Sequence, residues 1–402
     1  MTAPKIRFKE FSENWGSKKI IELADYVDYR GKTPKKVESG VLLVTAKNIK
    51  QGYLDYSASQ EFIEESAFDD VMRRGKVELN DVLITTEAPL GNVASVDRTD
   101  IALAQRVIKY RGKTGLLDNL FLKQKFLSES FQEILKSKAT GGTVQGIKGS
   151  VLHQIPLIVP SKEEQTKIAT FLSAVDEKIS QLSQKLHLLS QYKQGMMQKL
   201  FSQQIRFKAD DGSEFGEWEK TTLGLTGKFI GGGTPSKEVT EFWQGSIPWI
   251  SSSDLVDESI FNINITRYIS TEALNQSATK LIPANSILIV SRVGVGKVAV
   301  TNRDICTSQD FTSLVLNNGN PVFFGYLIKS LTGRLLEMNQ GTSIKGFVKD
   351  DLSNLKVEIP NLAEQTKIAN FLSAIDQKID VVSKQLDQAK LWKKGLLQQM
   401  FV

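Results

Sequence analysis

Two stretches of the chain place an apolar residue at every third or fourth position over about five heptads. The first series is Ile168, Leu172, Val175, Ile179, Leu182, Leu186, Leu189, Met196 and Leu200. The second, 200 positions later, is Ile368, Leu372, Ile375, Ile379, Val382, Leu386, Ala389, Leu396 and Met400. Alternating steps of four and three draw one apolar stripe along one side of a helix, the a/d seam of a coiled coil. Pro160 and Pro360 stand just before the two stretches and neither interior contains a proline, so both helices can start cleanly and run unbroken. A helix of 38 residues is roughly 57 Å long at 1.5 Å per residue. Burying a Leu or Ile stabilises by about 1.5–3 kcal/mol, which predicts that the two stripes bury each other. Each helix leads out of its own globular part, so the expected pairing is antiparallel, with a pseudo-two-fold axis and the globular parts held apart. Lys193 and Lys393 interrupt the seam at matching positions, either snorkelling near the helix ends or fixing register or a partner.

The match between the two stretches goes beyond pattern. "EQTKIATFLSAVDEKI" at 164–179 returns as "EQTKIANFLSAIDQKI" at 364–379, and residues 164–201 and 364–401 agree at 19 of 38 positions without a gap. Fainter echoes flank them: "IRFK" at 6 and at 205, Thr33-Pro34 and Thr234-Pro235, "DVLITTEAPLGNVASV" and "NSILIVSRVGVGKVAV", Gln105 and Gln309. Such self-similarity reads as two half-chains, with globular parts at 1–160 and 205–360 and helical tails at 161–204 and 361–402. A seam requires apolar residues, yet Glu164, Gln165, Lys167, Asp176 and Lys178 also recur, as Glu364, Gln365, Lys367, Asp376 and Lys378. Polar identity off the seam predicts a face used twice, by two copies of one partner.

The globular parts read as α/β or α+β. "GVLLVTA", "DVLITT", "IPWIS" and "NSILIVS" are β-branched runs bounded by turn residues, as strands are. "DNLFLKQKFLSESFQEILKSKA" reads as an amphipathic helix. Several loops pair glycine with short polar and basic residues in corresponding places: "RGKTPKK" and "GGGTPSK", "TAKNIK" and "SSSDL", "AQRVIKYRGK" and "SQDFTS", "TGGTVQGIKG" and "QGTSIKG". Glycine lets another chain approach closely, Lys and Arg neutralise phosphate, and Gln, Asn, Ser, Thr and Arg reach base edges.

Composition narrows the options. With 41% hydrophobic and 24% charged residues, the chain is globular. No apolar run reaches the roughly 18 residues of a membrane span, and "MTAPKIRFKE" lacks the apolar core of a signal peptide, so a cytoplasmic location is expected. Cys306 is alone and His153 and His187 lie far apart, which argues against disulfides and metal. A net charge of +6 and a pI near 9.0 permit a nucleic-acid partner. No G-x-x-x-x-G-K-[ST] phosphate loop occurs, and "FIGGG" and "GVGKVA" only superficially fit cofactor loops. Nor does an N-P-P-[FY] stretch occur, so catalysis within the chain is not expected.

The paired "EQTKIA-x-FLSA-x-D-x-KI" helices with their preceding "P-x(3)-EQ", the "KIRFKEF…W" opening to Trp15 with its echo to Trp218, and "GTSIKGF" resemble the specificity subunit of type I restriction-modification enzymes. The resemblance covers essentially the whole chain. It implies a non-catalytic reader of double-stranded DNA with two target-recognition domains separated by an antiparallel coiled coil, each reading half of a split, asymmetric target. Two modification subunits are expected to dock on the duplicated helices, and two motor-nuclease subunits can join. S-adenosylmethionine, ATP and Mg belong to those partners, and no cofactor is expected in this chain. Phosphate contacts are then expected from Lys35, Lys36, Lys109, Arg111, Lys148, Lys237, Lys297 and Lys345, and base reading from Gln105, Arg106, Gln145, Arg292 and Gln309. The alternatives are a cytosolic coiled-coil scaffold with peptide-binding domains, or a decoy specificity subunit.

Overall fold

A computed structural model describes residues 4–29, 34–338 and 346–401, without the side chains of residues 333–338. The chain divides into two compact units, residues 1–184 with 384–402, and residues 185–383. The division cuts both long helices, Lys162–Phe201 and Leu362–Met400, near mid-length. Each unit therefore contains the start of one long helix and the end of the other.

In the first unit, strands Ala24–Asp28, Val107–Gly112, Val82–Thr86 and Leu90–Ser95 lie side by side in that order as an antiparallel sheet. A three-stranded sheet orders Phe62–Ile63, Val41–Val44 and Ile101–Leu103, the last pair parallel. Gly16–Lys19 pairs with Pro156–Val159 just before the long helix begins. The strands Val82–Thr86 and Ile101–Leu103 are buried throughout, which explains why neither shows a charged residue or a polar-apolar alternation. The main core joins Ile84, Val93, Ile108, Tyr110, Phe121 and Phe126 to Ile168, Leu172 and Val175 of one long helix and to Leu396, Met400 and Phe401 of the other.

The second unit repeats this plan. Gly227–Gly231, Thr312–Leu316, Ile287–Ile289 and Val298–Val300 form one sheet. Arg267–Ile269, Ile247–Ile250, Ile305–Thr307 and Leu281–Ile282 form the other, again with one parallel pair. Glu219–Thr222 pairs with Lys356–Ile359. Its core joins Trp218, Phe229, Ile289, Leu314, Phe323 and Tyr326 to Met197 and Leu200 of one long helix and Ile368, Leu372 and Ile375 of the other. In both units, early residues of one long helix meet late residues of its counterpart, so the helices run antiparallel where they touch.

Burial along the seam is graded. Ile168, Leu172, Ile368, Leu372 and Leu386 are buried, while Ile179, Leu186 and Ile379 are half-buried. Near the end of the first long helix the seam steps by one, and Met197 is buried where Met196 is only partly so.

The sequence reading of "DNLFLKQKFLSESFQEILKSKA" as one helix requires correction. Helices Asn119–Leu127 and Glu129–Ser137 are separated at Ser128, which is extended (φ −65°, ψ 146°). Ser128 Oγ accepts the Phe131 amide at 3.4 Å, so a capping residue favours a second helix start over continuation. The first of the two helices is not amphipathic, because Gln124 and Lys125 are buried along with Phe121, Leu122 and Phe126.

Candidate nucleic-acid interface

Three turns of the first unit converge on one recess of about 350 Å³. They are the turn after Val82–Thr86, the turn at Gln105-Arg106 that opens strand Val107–Gly112, and the loop 139–148. Backbone bonds tie them together. The Thr86 amide donates to the Arg106 carbonyl at 2.9 Å, and the Ile147 amide to the Thr86 carbonyl at 2.9 Å. Thr140 and Gly146 exchange amide bonds at 2.8 and 2.9 Å, and Glu87 bridges to Gly146. The approach is close at Gly146, where a Cβ would fall 3.2 Å from that of Glu87 and crowd it.

The recess gathers Gln105, Arg106 and Lys148 with Thr86, Glu87 and Thr140, and Gln145 is exposed on the same loop. Arg106 adopts φ +71°, a conformation uncommon for a residue with a Cβ. Its Nε lies 2.6 Å from Glu87 Oε1, and both side chains are roughly half exposed.

The second unit builds the matching place from the same backbone connections. The Phe347 amide donates to the Ser291 carbonyl, as Ile147 does to Thr86, and the Ser291 amide donates to the Asp310 carbonyl, both at 2.8 Å. Gln309 is exposed and accepts from the Thr234 hydroxyl, while Arg292 and Lys237 are exposed nearby in sequence. Lys345, part of "RGKTPKK" and most of "QGTSIKG" lie outside the described residues.

Three phosphate candidates are corrected by the structure. Lys109 is buried, 3.5 Å from the fully buried carboxylate of Asp81, and donates to the Lys76 carbonyl at 2.9 Å. Burial pushes its pKa down, opposed by Asp81. Arg111 chelates the same carboxylate, with Nε and Nη2 each 2.7 Å from one oxygen, and reaches Glu78 at 2.5 Å. Both cations serve a buried acid that would otherwise lack compensation. Lys297 turns its ammonium to the carbonyls of Ser252 and Leu255, at 3.1 and 2.7 Å, and so pins a loop. Lys35 and Lys36 are exposed beside Glu64 and Glu61, at 3.8 and 2.7 Å.

The duplicated polar residues of the helices face mostly inward, which corrects their reading as one exposed face. Arg7 Nε and Nη2 each donate to one oxygen of Glu164 at 2.7 Å. Arg206 does the same for Glu364 at 3.1 and 2.8 Å, and Trp218 Nε1 adds a third bond at 3.1 Å. Gln165 donates to the carbonyls of Pro160 and Leu116 and accepts the Asp118 amide. Gln365 donates to the Pro360 carbonyl and accepts the Asn320 amide. Asp118 and Asn320 in turn cap helices Asn119–Leu127 and Pro321–Met338. The repeated Glu-Gln thus ties the start of each long helix to its own globular part.

The seam lysines also find partners inside each unit. Lys393 Nζ lies 2.5 Å from Asp176, which also accepts from Gln124 at 2.8 Å and has Lys123 at 3.4 Å. Lys193 Nζ lies 2.5 Å from Asp376, whose other oxygen accepts the Tyr326 hydroxyl at 2.5 Å. Lys167 pairs with Glu10 and sits over the Phe8 ring, and Lys367 pairs with Asp210 at 2.6 Å. Of the ten, Lys167, Lys178 and Lys378 are exposed. Sequence reasoning missed Glu87 as a site residue. The pairing of Arg7 and Arg206 with the helix carboxylates is likewise unassigned by sequence reasoning, although the duplication of "IRFK" alongside Glu164 and Glu364 is the available signal.

A family model described as the type I restriction modification DNA specificity domain matches residues 12–190 and again 216–391. A putative type I restriction enzyme MjaX specificity subunit from Methanocaldococcus jannaschii is 24% identical over 98% of this chain and 94% of its own length. The EcoR124I/EcoR124II specificity subunit of Escherichia coli is 38% identical over 42% of this chain, a match that spans only 44% of that relative. The crystal structure of a type I restriction-modification S subunit from M. genitalium superposes with a TM-score of 0.64 at 19% identity, covering 100% of this chain and 99% of the other. That likeness carries the fold. Among the described residues, no helix is long and apolar enough to cross a membrane.

Proposed function

Because the chain belongs to the type I restriction-modification DNA specificity family, we propose that it is the DNA-reading subunit of such a system, with each globular part reading one half of a split, asymmetric target. The observation that carries this is the contrast within each repeat. The two units share a plan and the same helix attachment, yet their converging turns carry different side chains around a shared glutamine, Glu87 and Arg106 in one where Arg292 and Asp310 stand in the other. One architecture with two chemistries suits two different half-sites. Base edges are told apart by donor and acceptor pattern, while exposed Lys35, Lys36, Lys148 and Lys237 supply charge for phosphate.

In this reading the chain is non-catalytic and cytoplasmic. Two methylating subunits, which would bring S-adenosylmethionine, dock on the long helices, and a motor-nuclease pair with ATP and Mg can join. With Glu164, Gln165, Asp176 and their counterparts turned inward, the exposed helix surface around Lys178 and Lys378 is the part left for docking. Globular parts at 1–160 and 205–360 and helices at 161–204 and 361–402 are the functional modules.

Deleting the gene is expected to remove one split methylated-adenine motif from a genome-wide methylation map of the host. An unchanged map would favour a decoy or scaffold role. Replacing residues 205–360 with the corresponding part of a relative is expected to alter one half of that motif and leave the other intact. Alteration of both halves would refute independent reading.

A further inference from the structure

The recess of the first unit holds a carboxylate where a phosphate-binding surface has no use for one. Glu87 and Arg106 lie side by side at 2.6 Å, each about half exposed, and both are fixed from the backbone. Thr86 is bonded to the carbonyl of Arg106, Glu87 bridges to Gly146, and Arg106 is set at φ +71°. We infer that this pair reads one G·C base pair in the major groove, Arg106 donating to guanine and Glu87 accepting from cytosine. The inference rests on the DNA-reading role proposed above.

Three chemical points lead there. A carboxylate beside Arg106 repels phosphate, so the arginine is poorly placed as a backbone contact. Glu87 gains from DNA only by accepting a donor, and the major groove offers two, cytosine N4 and adenine N6. In a G·C pair, guanine O6 and cytosine N4 sit next to each other about 2.9 Å apart, as base-pair partners do. A guanidinium and a carboxylate held at hydrogen-bond distance present the complementary donor and acceptor at that spacing.

An A·T pair also shows an acceptor beside a donor, but thymine offers only O4 and a methyl group, whereas guanine offers O6 and N7 to the arginine fork. G·C is therefore favoured by one bidentate contact. The pair also costs little to open towards DNA, because an exposed ion pair contributes little to stability. At the matching positions of the second unit the charges are reversed, Arg292 and Asp310, and Asp310 accepts from the Ser308 hydroxyl at 3.0 Å instead, which confines the effect to one half-site.

The test is a methylation map of the host expressing the full chain, with its methylating partner, as the unaltered protein and as Glu87→Gln, Arg106→Gln and Arg106→Lys. The half-site read by the first unit is the one that survives exchange of residues 205–360. That half is expected to contain a G·C pair at which Arg106→Gln and Arg106→Lys lose about 5- to 150-fold discrimination, the weight of one bidentate contact, and Glu87→Gln, which keeps one acceptor oxygen but adds a donor, loses less at the same pair, with the other half and the spacing unchanged. Arg106→Lys separates the two roles of an arginine, since lysine satisfies a phosphate but lacks the fork for guanine. Relaxation at an A·T pair, even weakening at every position, or full activity of Arg106→Lys overturns the assignment. Failure of the DNA-reading role shows separately, as the absence of any motif that depends on the unaltered chain.

Discussion

Glu364→Ala is expected to destabilise the second unit by about 3–5 kcal/mol, the usual cost of breaking a buried charge pair by removing one partner. The carboxylate is fully buried and takes three bonds, two from Arg206 and one from Trp218. Truncation leaves the Trp218 indole N–H buried without an acceptor and the Arg206 guanidinium without its counter-ion. Arg206 keeps two carbonyl partners, Gly216 at 2.6 Å and Phe215 at 3.3 Å, which softens the loss on its side. The corresponding Glu164→Ala in the first unit removes only the Arg7 fork, because the Trp15 N–H is already buried without an acceptor. A smaller effect is expected there, and the difference between the two is the sharper test. Hydrogen exchange of the amides in 362–372 and 162–172 reads each unit separately, which a single unfolding transition of a two-unit chain does not. An effect of Glu364→Ala below about 1 kcal/mol, the level of an exposed ion pair, would contradict the role given to this carboxylate.

That carboxylate also shows where the sequence stops being informative. Ile168 and Leu172 are buried as their spacing requires, and both long helices begin within two residues of the prolines, because the period of the apolar positions and the chemistry of helix starts are local properties. "Glu-Gln" repeated 200 residues apart is equally visible, but identity says only that a residue is constrained. Whether the constraint comes from outside or inside depends on burial, and burial depends on where "IRFK", 157 or 158 residues away from each glutamate, comes to lie. Lys109 and Arg111 failed for the same reason. A basic residue on a strand reads as surface until Asp81, buried on a neighbouring strand end, is known to need it. Arg106 and Lys148 do reach the surface, because turns lie there whatever the rest of the chain does. Glu87 drew no attention in the sequence because an acid argues against a nucleic-acid contact until its neighbour Arg106 is known.

Asp376→Leu is expected to cost the second unit about 3–5 kcal/mol as well, since it leaves the Tyr326 hydroxyl without its Asp376 acceptor and Lys193 without its counter-ion, holding only the Glu258 carbonyl at 3.1 Å. The argument differs from that for Glu364, because here the charges sit between the two long helices. Replacing all three groups, as Asp376→Leu with Lys193→Leu and Tyr326→Phe, removes the unpaired side-chain groups, leaves the exposed Glu258 carbonyl to solvent and is expected to recover most of the loss. A buried polar contact in an apolar seam specifies which residues face each other, so the triple variant should regain stability while losing that specification. Self-association of the triple variant, seen by sedimentation at micromolar concentration, is the expected sign. A triple variant as unstable as Asp376→Leu alone would show that the pair stabilises rather than specifies.

The equivalent in the first unit can be read by pH. Burial raises the pKa of Asp176, but Lys393 and Lys123 outweigh it, and the net result lies below the usual 3.8. A carboxylate lowered in the folded state contributes stability that is complete above its unfolded pKa and is lost as pH falls through the folded one. The wild-type first unit should therefore lose this contribution below about pH 4, while Asp176→Asn, already without the charge, should show a flatter acid limb. Equal acid limbs for the two proteins would place the charge of Asp176 outside the energetics of the seam.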